Sequence, residues 1–424
     1  MPAGLRSDSA AHRTQEPAMT DFPTGLLFDE AMAVTAEVAA AHRLEIEHPA
    51  LSRCHGRVLA QDVVAPLSLP PFDNSAMDGF ALRHADLSGE QTELRLVGEQ
   101  FAGLALGLAL GAGECARITT GAPLPAGADT VAIKENVRVD GDRVLVPQAK
   151  RGHHVRYAGE DVAAGETVLR AGQALTPARV SLAASLGLAS LPVRRKPTVA
   201  VFTSGDELVE PGMPLRPGQI YDSNRELLMG LLRADGLEPT AWPRLPDDPR
   251  QVEIALRDAA CAFDLVFTCG AVSAGEKDHI PAVLGQFGRI HFWKVKMRPG
   301  MPLLLASMDQ ARCLGLPGNP VSVLATYLSF GRALIDGLQG RVEPRPKLRA
   351  RLVGGIEKSH PRREFVRARL RSDEDGVLWV DPNPATASHR LRAAADSDAL
   401  MVVAEGEQRL QEGAVMEVWP YALG

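Results

Sequence analysis

The sequence predicts a multidomain α/β plus β protein with a doubly wound α/β domain at its centre. Between residues 197 and 344, uninterrupted apolar runs alternate with amphipathic segments at helical spacing, which is typical of a parallel sheet covered by helices on both faces. Residues 47–159 and 345–424 instead contain short apolar runs separated by glycine, proline and Asp-Gly turns, as expected for β structure. These contrasting textures indicate separate domains.

Length and composition place the chain among ordinary globular proteins. At about 150 residues per domain, 424 residues suggest three domains, and the changes in texture along the chain fit four better. A hydrophobic content of 45% and a charged content of 23% are sufficient for each domain to bury a core. The net charge of −6 gives no general reason to bind nucleic acid or an anionic membrane.

The cysteines and the N-terminus predict a cytoplasmic protein. Five cysteines are scattered without a CxxC pair, which argues against a disulfide framework and a structural zinc site. No apolar stretch reaches the ~18 residues of a membrane span. Residues 1–20 are polar and lack the apolar core of a secretion signal, so we expect a disordered tail, with Met19 as an alternative start.

Helical segments flank the first β-rich part. Residues 27–43 are rich in alanine with apolar positions at helical spacing, and residues 174–190 are similar, with Thr176 as N-cap and Pro177 in the first turn. Between them, Asp140-Gly141 predicts a hairpin. After residue 345, alternating segments such as EFVRARL and AVMEVWP predict a small β barrel.

In the central domain, three polar or glycine-containing loops directly follow predicted strands. TSGDEL (203–208) carries Asp206 and Glu207, GAVSAGEKD (270–278) is rich in small residues, and LPGNP (316–320) contains Asn319 as N-cap. Ligands bind at the carboxyl ends of the strands in such sheets, and loop amides before a helix attract anions. Each loop alone could be ordinary turn chemistry, but three at one end indicate a site. None is a P-loop or GxGxxG.

The segment HFWKVKMRPG (291–300) carries three cations, Lys294, Lys296 and Arg298, at alternating positions. If the segment is one strand, all three lie on one face and form an anion-binding stripe. The alternative is a solvated edge strand that uses lysine against aggregation.

A polar loop in the β-rich part, PPFDNSAMDGFAL (70–82), is either a well-capped turn or a loop for a metal or substrate. The residues alone leave both interpretations open. Two further segments, ARITTGAPLPAGADTV and AGED, contribute Thr120, Glu160 and Asp161. The neighbouring His153-His154 pair lacks the spacing of a helical metal site, which favours a surface loop.

Taken together, these motifs resemble the MoeA family of molybdopterin molybdenumtransferases, to which the gephyrin E domain and its plant counterpart belong. The resemblance rests on PPFDNSAMDGFAL, ARITTGAPLPAGADTV, RYAGEDV, TSGDEL with GQIYDSN, GAVSAGEKD, FWKVKMRPGMP and GLPGNPVS, and it extends from about Gly25 to the C-terminus. It implies a late step of molybdenum-cofactor synthesis, in which adenylylated molybdopterin loses AMP and molybdate is inserted, assisted by Mg²⁺.

The resemblance also assigns site residues. The catalytic set that it implies is Asp78, Thr120, Asp161, Glu207, Asp247 and Asp278, the last three being the metal ligands. The implied substrate-binding set is Gly270, Ser273, Gly275, Lys294, Arg298, Pro317, Pro320, Arg367 and Ser388.

The resemblance implies an architecture and partners as well. Residues 21–46 and 160–196 would form one elongated discontinuous domain, beside a β-rich domain (47–159), a molybdopterin-binding α/β domain (197–344) and a C-terminal barrel (345–424). The protein would be a homodimer in which the partner's C-terminal domain completes the site. Contacts with the molybdopterin adenylyltransferase and with molybdoenzyme chaperones are also implied.

Three positions depart from the family pattern. Ala271 replaces a second glycine, Arg298 replaces a lysine, and Met301 replaces the lysine of a PGKP motif. Arg298 keeps the positive charge of the lysine but carries it on a planar guanidinium group. Met301 removes a positive charge, which affects the affinity for molybdate and the preference for molybdate over tungstate. An alternative is therefore an altered paralogue that serves as a pterin-binding or scaffold protein. A generic sugar or nucleotide kinase is disfavoured because a P-loop is absent.

Overall fold

The computed structural model describes residues 22–103, 106–273, 275 and 278–421. The predicted tail at residues 1–20 lies outside them. The chain divides into two compact units, one containing residues 46–194 and the other containing residues up to 45 and from 195 onward.

Part of the first unit is a domain built from two distant segments. Ile46–Glu47 pairs with Val193–Arg194, and Val63–Val64 pairs with Thr167–Leu169, both antiparallel. The helix Pro177–Ser185 begins as predicted, because the Thr176 side chain accepts a hydrogen bond from the Arg179 amide.

The rest of the first unit is β structure, as the turn-rich sequence predicts. Asn74–Ser75 pairs with Val155–Arg156. The larger sheet has six strands, which are, in spatial order, Thr130–Ile133, Gly79–Leu82, Glu114–Ile118, Gln91–Gln100, Arg143–Pro147 and Arg138–Asp140. The last two form the hairpin predicted at Asp140-Gly141, and Gly141 there has a φ of 62°.

The second unit contains the predicted α/β sheet. Its seven strands are, in spatial order, Thr24–Leu26, Arg289–Val295, Leu304–Met308, Ala311–Leu316, Leu265–Cys269, Val199–Thr203 and Pro239–Ala241. All neighbouring pairs are parallel except those of Leu304–Met308, which is antiparallel to both neighbours. A short parallel pair, Leu208–Val209 with Ile220–Tyr221, follows the first central strand.

Helices cover both faces of this sheet, so the doubly wound prediction is confirmed. Phe28–Ala40, Ser223–Ala234 and Pro320–Leu338 pack on one face, and Pro249–Ala262 and Ile280–Phe287 pack on the other. The strands are apolar throughout because alternate residues enter the two cores: Val199 and Val201 face one core, and Ala200 and Phe202 face the other.

The helix Pro320–Leu338 is the core helix of this domain. It comprises α-helical Pro320–Thr326, a π-helical turn at Tyr327–Gly331 and α-helical Arg332–Leu338. Among the described helices it alone has the length and apolar composition of a membrane span, but 78% of that window is buried inside the protein. Its hydrophobicity is explained by packing in the core.

The C-terminal residues form the predicted small barrel. Its strands are, in spatial order, Met297–Arg298, Arg363–Ser372, Leu378–Pro382, Leu348–Leu352, Val415–Pro420 and Ala399–Val403. Pairing of Ala399–Val403 with Arg363–Ser372 closes the barrel. A strand pair, Ile356–Lys358 with Gln408–Leu410, and a short helix, Leu391–Ala395, complete this part.

The predicted domain boundaries require one correction. The helix Phe28–Ala40 does not join residues 160–196, because its buried residues Phe28, Ala31 and Val38 belong to the core of the α/β sheet. The segment that pairs with residues 162–194 lies instead between Ile46 and Leu69. Helical spacing revealed the apolar face of the helix but not the surface that covers it.

A second correction concerns the predicted stripe of cations. The strand ends at Val295, and Lys294 has a φ of 66°, so the alternation of faces is interrupted before Arg298. Met297–Arg298 then pairs with the barrel strand Arg363–Ser372. Lys294, Lys296 and Arg298 therefore do not share one face of one strand, and the Lys294 ammonium lies 4.3 Å from the centre of the Trp293 ring.

Candidate functional site

The three predicted loops lie at one end of the sheet. Their strands, Val199–Thr203, Leu265–Cys269 and Ala311–Leu316, are adjacent and parallel, so the loops begin at the same edge. The Ser204 amide donates to the Cys269 carbonyl at 3.0 Å, and the Gly270 amide donates to the Leu316 carbonyl at 2.9 Å. This is the position where α/β sheets bind ligands.

Glu207 lies at the start of this edge. A Cβ added at Gly205, whose φ is 125°, would lie 2.5 Å from a Glu207 carboxylate oxygen, so the loop requires glycine there. Arg244 donates to the Gly205 carbonyl at 2.7 Å and lies 3.8 Å from Asp206. The exposed carboxylate of Glu207 is thus presented to solvent by a loop with a fixed backbone.

A polar cluster around the buried Asp222 lies at the same edge of the sheet and was not predicted from sequence. Asp222, 4% exposed, accepts a hydrogen bond from the Thr203 hydroxyl at 2.6 Å and caps the helix Ser223–Ala234 through the Arg225 amide. Asn224 donates to the Gly318 carbonyl at 2.6 Å. The only signal in the sequence was the Asp-Ser-Asn run before a helix, which reads as a cap.

The second loop has an unusual backbone. Gly270 has a φ of 95°, and a Cβ there would lie 2.7 Å from the Ser204 hydroxyl. Ala271 also occupies the left-handed region, with a φ of 53°, which disfavours residues with a Cβ. Asp278 accepts a hydrogen bond from the Gly275 amide at 2.9 Å, and Ser273 is exposed.

Asp247 belongs to the segment whose backbone pairs with the first loop. It follows Leu245, which bridges to Ser204, and precedes the helix that begins at Pro249 with Asp248 as its cap. Within the described residues, no three His, Cys, Asp or Glu side chains are arranged to hold a metal ion. The carboxylates Glu207, Asp247 and Asp278 have the oxygen donors that Mg²⁺ prefers, but they form no preassembled cage.

The third loop opens into a cavity of about 280 Å³. Its walls come from the loop at Met297–Pro302, the start of the helix at Asn319–Ser322 and the barrel. Pro320 occupies the first helical position and Pro317 lies in the preceding loop; Asn319 is at the N-cap position but makes no capping hydrogen bond with its side chain. The cavity includes three of the predicted site residues, Arg298, Arg367 and Ser388.

Arg367 shapes the wall of this cavity. It is 3% exposed, and its guanidinium donates to the backbone carbonyls of Ala385 and Ala387, the latter at 3.2 Å. Burial lowers its pKa. The arginine therefore holds the loop that carries Ser388, whose carbonyl accepts a hydrogen bond from the Val321 amide.

Both sides of the cavity belong to a single chain. Met297–Pro302 and Asn319–Ser322 come from the α/β domain, and Arg362–Arg367 comes from the barrel of the same polypeptide. The pairing of Met297–Arg298 with the barrel strand joins the two parts directly. The expectation that a partner's C-terminal domain completes the site stays a prediction.

The unit of residues 46–194 contains a second group of predicted residues. The amide and the hydroxyl of Thr120 both donate to the Asp78 carboxylate at 2.9 Å, and Lys134 lies 3.4 Å from it. These hydrogen bonds, chiefly that of the Thr120 amide, lower the pKa of Asp78. Asp161 lies in a third loop, and its amide donates to the Leu69 carbonyl at 3.0 Å.

Sequence reasoning missed Lys134 in this second group. It follows an apolar strand, Thr130–Ile133, and nothing in its spacing points toward Asp78. Its amide also donates to the Asp78 carbonyl, at 3.1 Å. The strand pairing between Gly79–Leu82 and Thr130–Ile133 brings the two residues together, and only the fold reveals it.

The cysteines take no part in either group. Cys54, Cys115, Cys269 and Cys313 are buried and free, and Cys261 is exposed and free. Burial raises the pKa of the Cys115 thiol to about 12, which keeps it protonated and unreactive. The prediction of no disulfide framework is confirmed for these five cysteines.

Comparisons with known proteins agree along most of the chain. Family models match the MoeA N-terminal region (domain I and II) at residues 26–187, a probable molybdopterin binding domain at 200–336, and the MoeA C-terminal region (domain IV) at 349–421.

Similar proteins carry matching names. The chain is 36% identical over 381 residues to the molybdopterin molybdenumtransferase of Haemophilus influenzae, covering 89% of this chain and 94% of that protein. It is 39% identical over 402 residues to molybdopterin molybdenumtransferase 2 of Mycobacterium tuberculosis, covering 92% and 98%. A molybdopterin biosynthesis MoeA protein from Pyrococcus horikoshii superposes with a TM-score of 0.80 at 27% identity, covering 94% and 100%.

Proposed function

Because this chain belongs to the MoeA family of molybdopterin molybdenumtransferases, we propose that it inserts molybdate into adenylylated molybdopterin with release of AMP. The chain is an enzyme of molybdenum-cofactor biosynthesis. The observation that most strongly supports the proposed reaction is the cationic cavity, which contains Arg298, Arg362 and Arg367 and adjoins the ligand-binding end of the sheet.

The reaction requires binding of two kinds of anion. The pyrophosphate of the substrate suits the strand-end loops, where backbone amides and the positive end of a helix dipole favour phosphates. Molybdate is a tetrahedral dianion, and guanidinium groups bind such oxyanions through several N–H donors. The small cavity suits the second anion better than a pterin or a nucleotide, since drug-sized ligands occupy larger volumes.

Acidic residues would act where the phosphoanhydride bond breaks. In this proposal Glu207, Asp247 and Asp278 lie near the substrate phosphates, and one or two of them hold Mg²⁺ together with phosphate oxygens. The bound ion would neutralise charge on the departing AMP phosphate. Asp78, which accepts two hydrogen bonds from Thr120, and Asp161 are the further acidic residues in this proposal.

Oligomeric state, location and partners belong to the same proposal. We propose a cytoplasmic homodimer that contacts the molybdopterin adenylyltransferase and molybdoenzyme chaperones. Light scattering in solution would give about twice the chain mass of 45.3 kDa for a dimer. No observation favours the scaffold alternative, since each predicted loop retains side chains suited to chemistry.

Growth of a bacterial strain that lacks its own family enzyme tests the proposal. On medium that requires a molybdoenzyme, we expect the wild-type gene to restore growth and Asp78→Asn, Glu207→Ala and Asp247→Ala to lower molybdoenzyme activity at least about tenfold. A variant at exposed Arg409, Arg409→Gln, serves as control. Wild-type growth with all three acid variants, each shown to be folded by circular dichroism, would contradict the proposed roles.

A further inference from the structure

The cationic cavity contains more positive than negative groups. Three arginines and a single carboxylate, Glu364, line it. An anion entering the cavity gains most from a cation whose charge is not already matched by a protein carboxylate, because a paired guanidinium must first give up its partner. The three arginines differ in this respect.

Arg298 and Arg367 are both engaged by the protein. The Arg298 Nε lies 3.5 Å from one oxygen of Glu364, whose other oxygen lies 3.2 Å from the His360 ring. Arg367 is almost fully buried and donates to the carbonyls of Ala385 and Ala387. One arginine is thus ion-paired, and the other is used in holding a loop.

Arg362 differs from both. Its guanidinium Nη1 lies 3.9 Å from the sulfur of Met301, a weak acceptor that carries no charge. In the parts of the chain that the structure describes, no carboxylate forms an ion pair with it. The next residue, Arg363, provides a contrast, since it pairs with both Asp29 and Glu405.

The backbone at Arg362 is held in place. Lys358, 3% exposed, donates from its ammonium to the Arg362 carbonyl at 2.7 Å and also to the Ala404 carbonyl. The Arg362 side chain therefore extends from an anchored backbone position on the barrel, and its guanidinium lies on the side of the cavity formed by Met301.

We propose that Arg362 is an anion-binding residue that supplies the unmatched cation for the oxyanion bound in this cavity. The assignment rests on the proposed function, which identifies that oxyanion as molybdate. A planar guanidinium offers two parallel N–H donors to a tetrahedral dianion. Loss of one such charged contact corresponds to about a tenfold loss of affinity.

Titration calorimetry of the full-length protein with sodium molybdate tests the assignment. We expect Arg362→Gln to weaken binding about tenfold or more, and exposed Arg409→Gln on the same domain to bind like wild type. Adding Met301→Lys to Arg362→Gln should restore affinity to within about threefold, because the ammonium would occupy the same side of the cavity. Thermal unfolding of each variant confirms that it is folded.

Three results would overturn the assignment: wild-type affinity in Arg362→Gln, a loss that Met301→Lys does not restore, and absence of molybdate binding by the wild-type protein. A parallel assay of AMP release keeps the two proposals apart. If the wild-type protein releases AMP and Arg362→Gln does not change the affinity for molybdate, this inference alone is rejected. Arg362-dependent molybdate binding without any AMP release rejects the proposed function alone.

Discussion

At the scale of single residues, the contact between Asp78 and Thr120 determines the charge and the orientation of a predicted catalytic residue. The carboxylate accepts two hydrogen bonds from one threonine and has a lysine nearby. Hydrogen bonds to an ionised carboxylate stabilise its charged form. Asp78 is therefore held as an ionised hydrogen-bond acceptor of fixed orientation, which suits a residue that orients a substrate.

Removing the threonine hydroxyl should raise the pKa of Asp78. In Thr120→Val the amide hydrogen bond can remain, but the hydroxyl hydrogen bond is lost, so the charged carboxylate is less stabilised. Carbon-detected NMR titration of the Asp78 carboxylate measures the shift. Thr119→Val is the matched control, since the Thr119 hydroxyl accepts from the Ala102 amide instead. Equal pKa values in wild type and Thr120→Val would contradict this reading.

His291 predicts a pH dependence of stability. Burial lowers its pKa to about 4, and its Nε2 lies 2.6 Å from the Ser307 hydroxyl. The unfolded chain takes up a proton near pH ~6.5, whereas the folded chain resists protonation down to about 4. Stability is therefore complete above about pH 6.5 and is lost as the pH falls through this window.

The variant His291→Gln should lack this loss. Because the ring is partly exposed, solvent screening reduces the effect to about 1 kcal/mol of unfolding free energy between about pH 7 and pH 4.5. Urea unfolding at both pH values measures it, and exposed His48→Gln is the control. Parallel pH profiles for wild type and His291→Gln would show that this histidine does not contribute.

At the scale of elements, the loop after strand Leu265–Cys269 shows what the sequence could not reveal. The sequence indicated a loop rich in small residues, and Gly270 in this loop has a φ of 95°. The left-handed conformation of Ala271 was not predictable, because alanine carries no signal for it. The broken strand at Lys294 was missed for the same reason, since an alternating pattern cannot show a single left-handed residue.

Two neighbouring substitutions should therefore have different effects. Gly270→Ala places a Cβ 2.7 Å from the Ser204 hydroxyl in a disfavoured backbone region, which should cost about 2–4 kcal/mol of unfolding free energy. Ala271→Gly relieves strain but adds freedom to the unfolded chain, so we expect a change within about 1 kcal/mol. Chemical denaturation measures both, and equal destabilisation by the two variants would contradict this account of the loop.

At the scale of the whole molecule, the sequence predicted fold classes well and packing partners poorly. The α/β sheet, the β-rich part and the closed barrel followed from local patterns of apolar residues. The location of the helix Phe28–Ala40 did not, because its apolar face fits any hydrophobic surface. The cavity wall containing Arg362 could not be predicted either, because residues 301 and 362 are distant in sequence and are brought together only by the tertiary fold.

The central claim is that this chain converts adenylylated molybdopterin and molybdate to molybdenum-loaded molybdopterin and AMP. Its most direct test measures AMP by chromatography and bound molybdenum by mass spectrometry in one reaction with Mg²⁺. The account predicts molybdate-dependent AMP release, with about one molybdenum retained for each AMP formed. Tight binding of adenylylated molybdopterin with neither AMP nor molybdenum would contradict it and support the scaffold alternative.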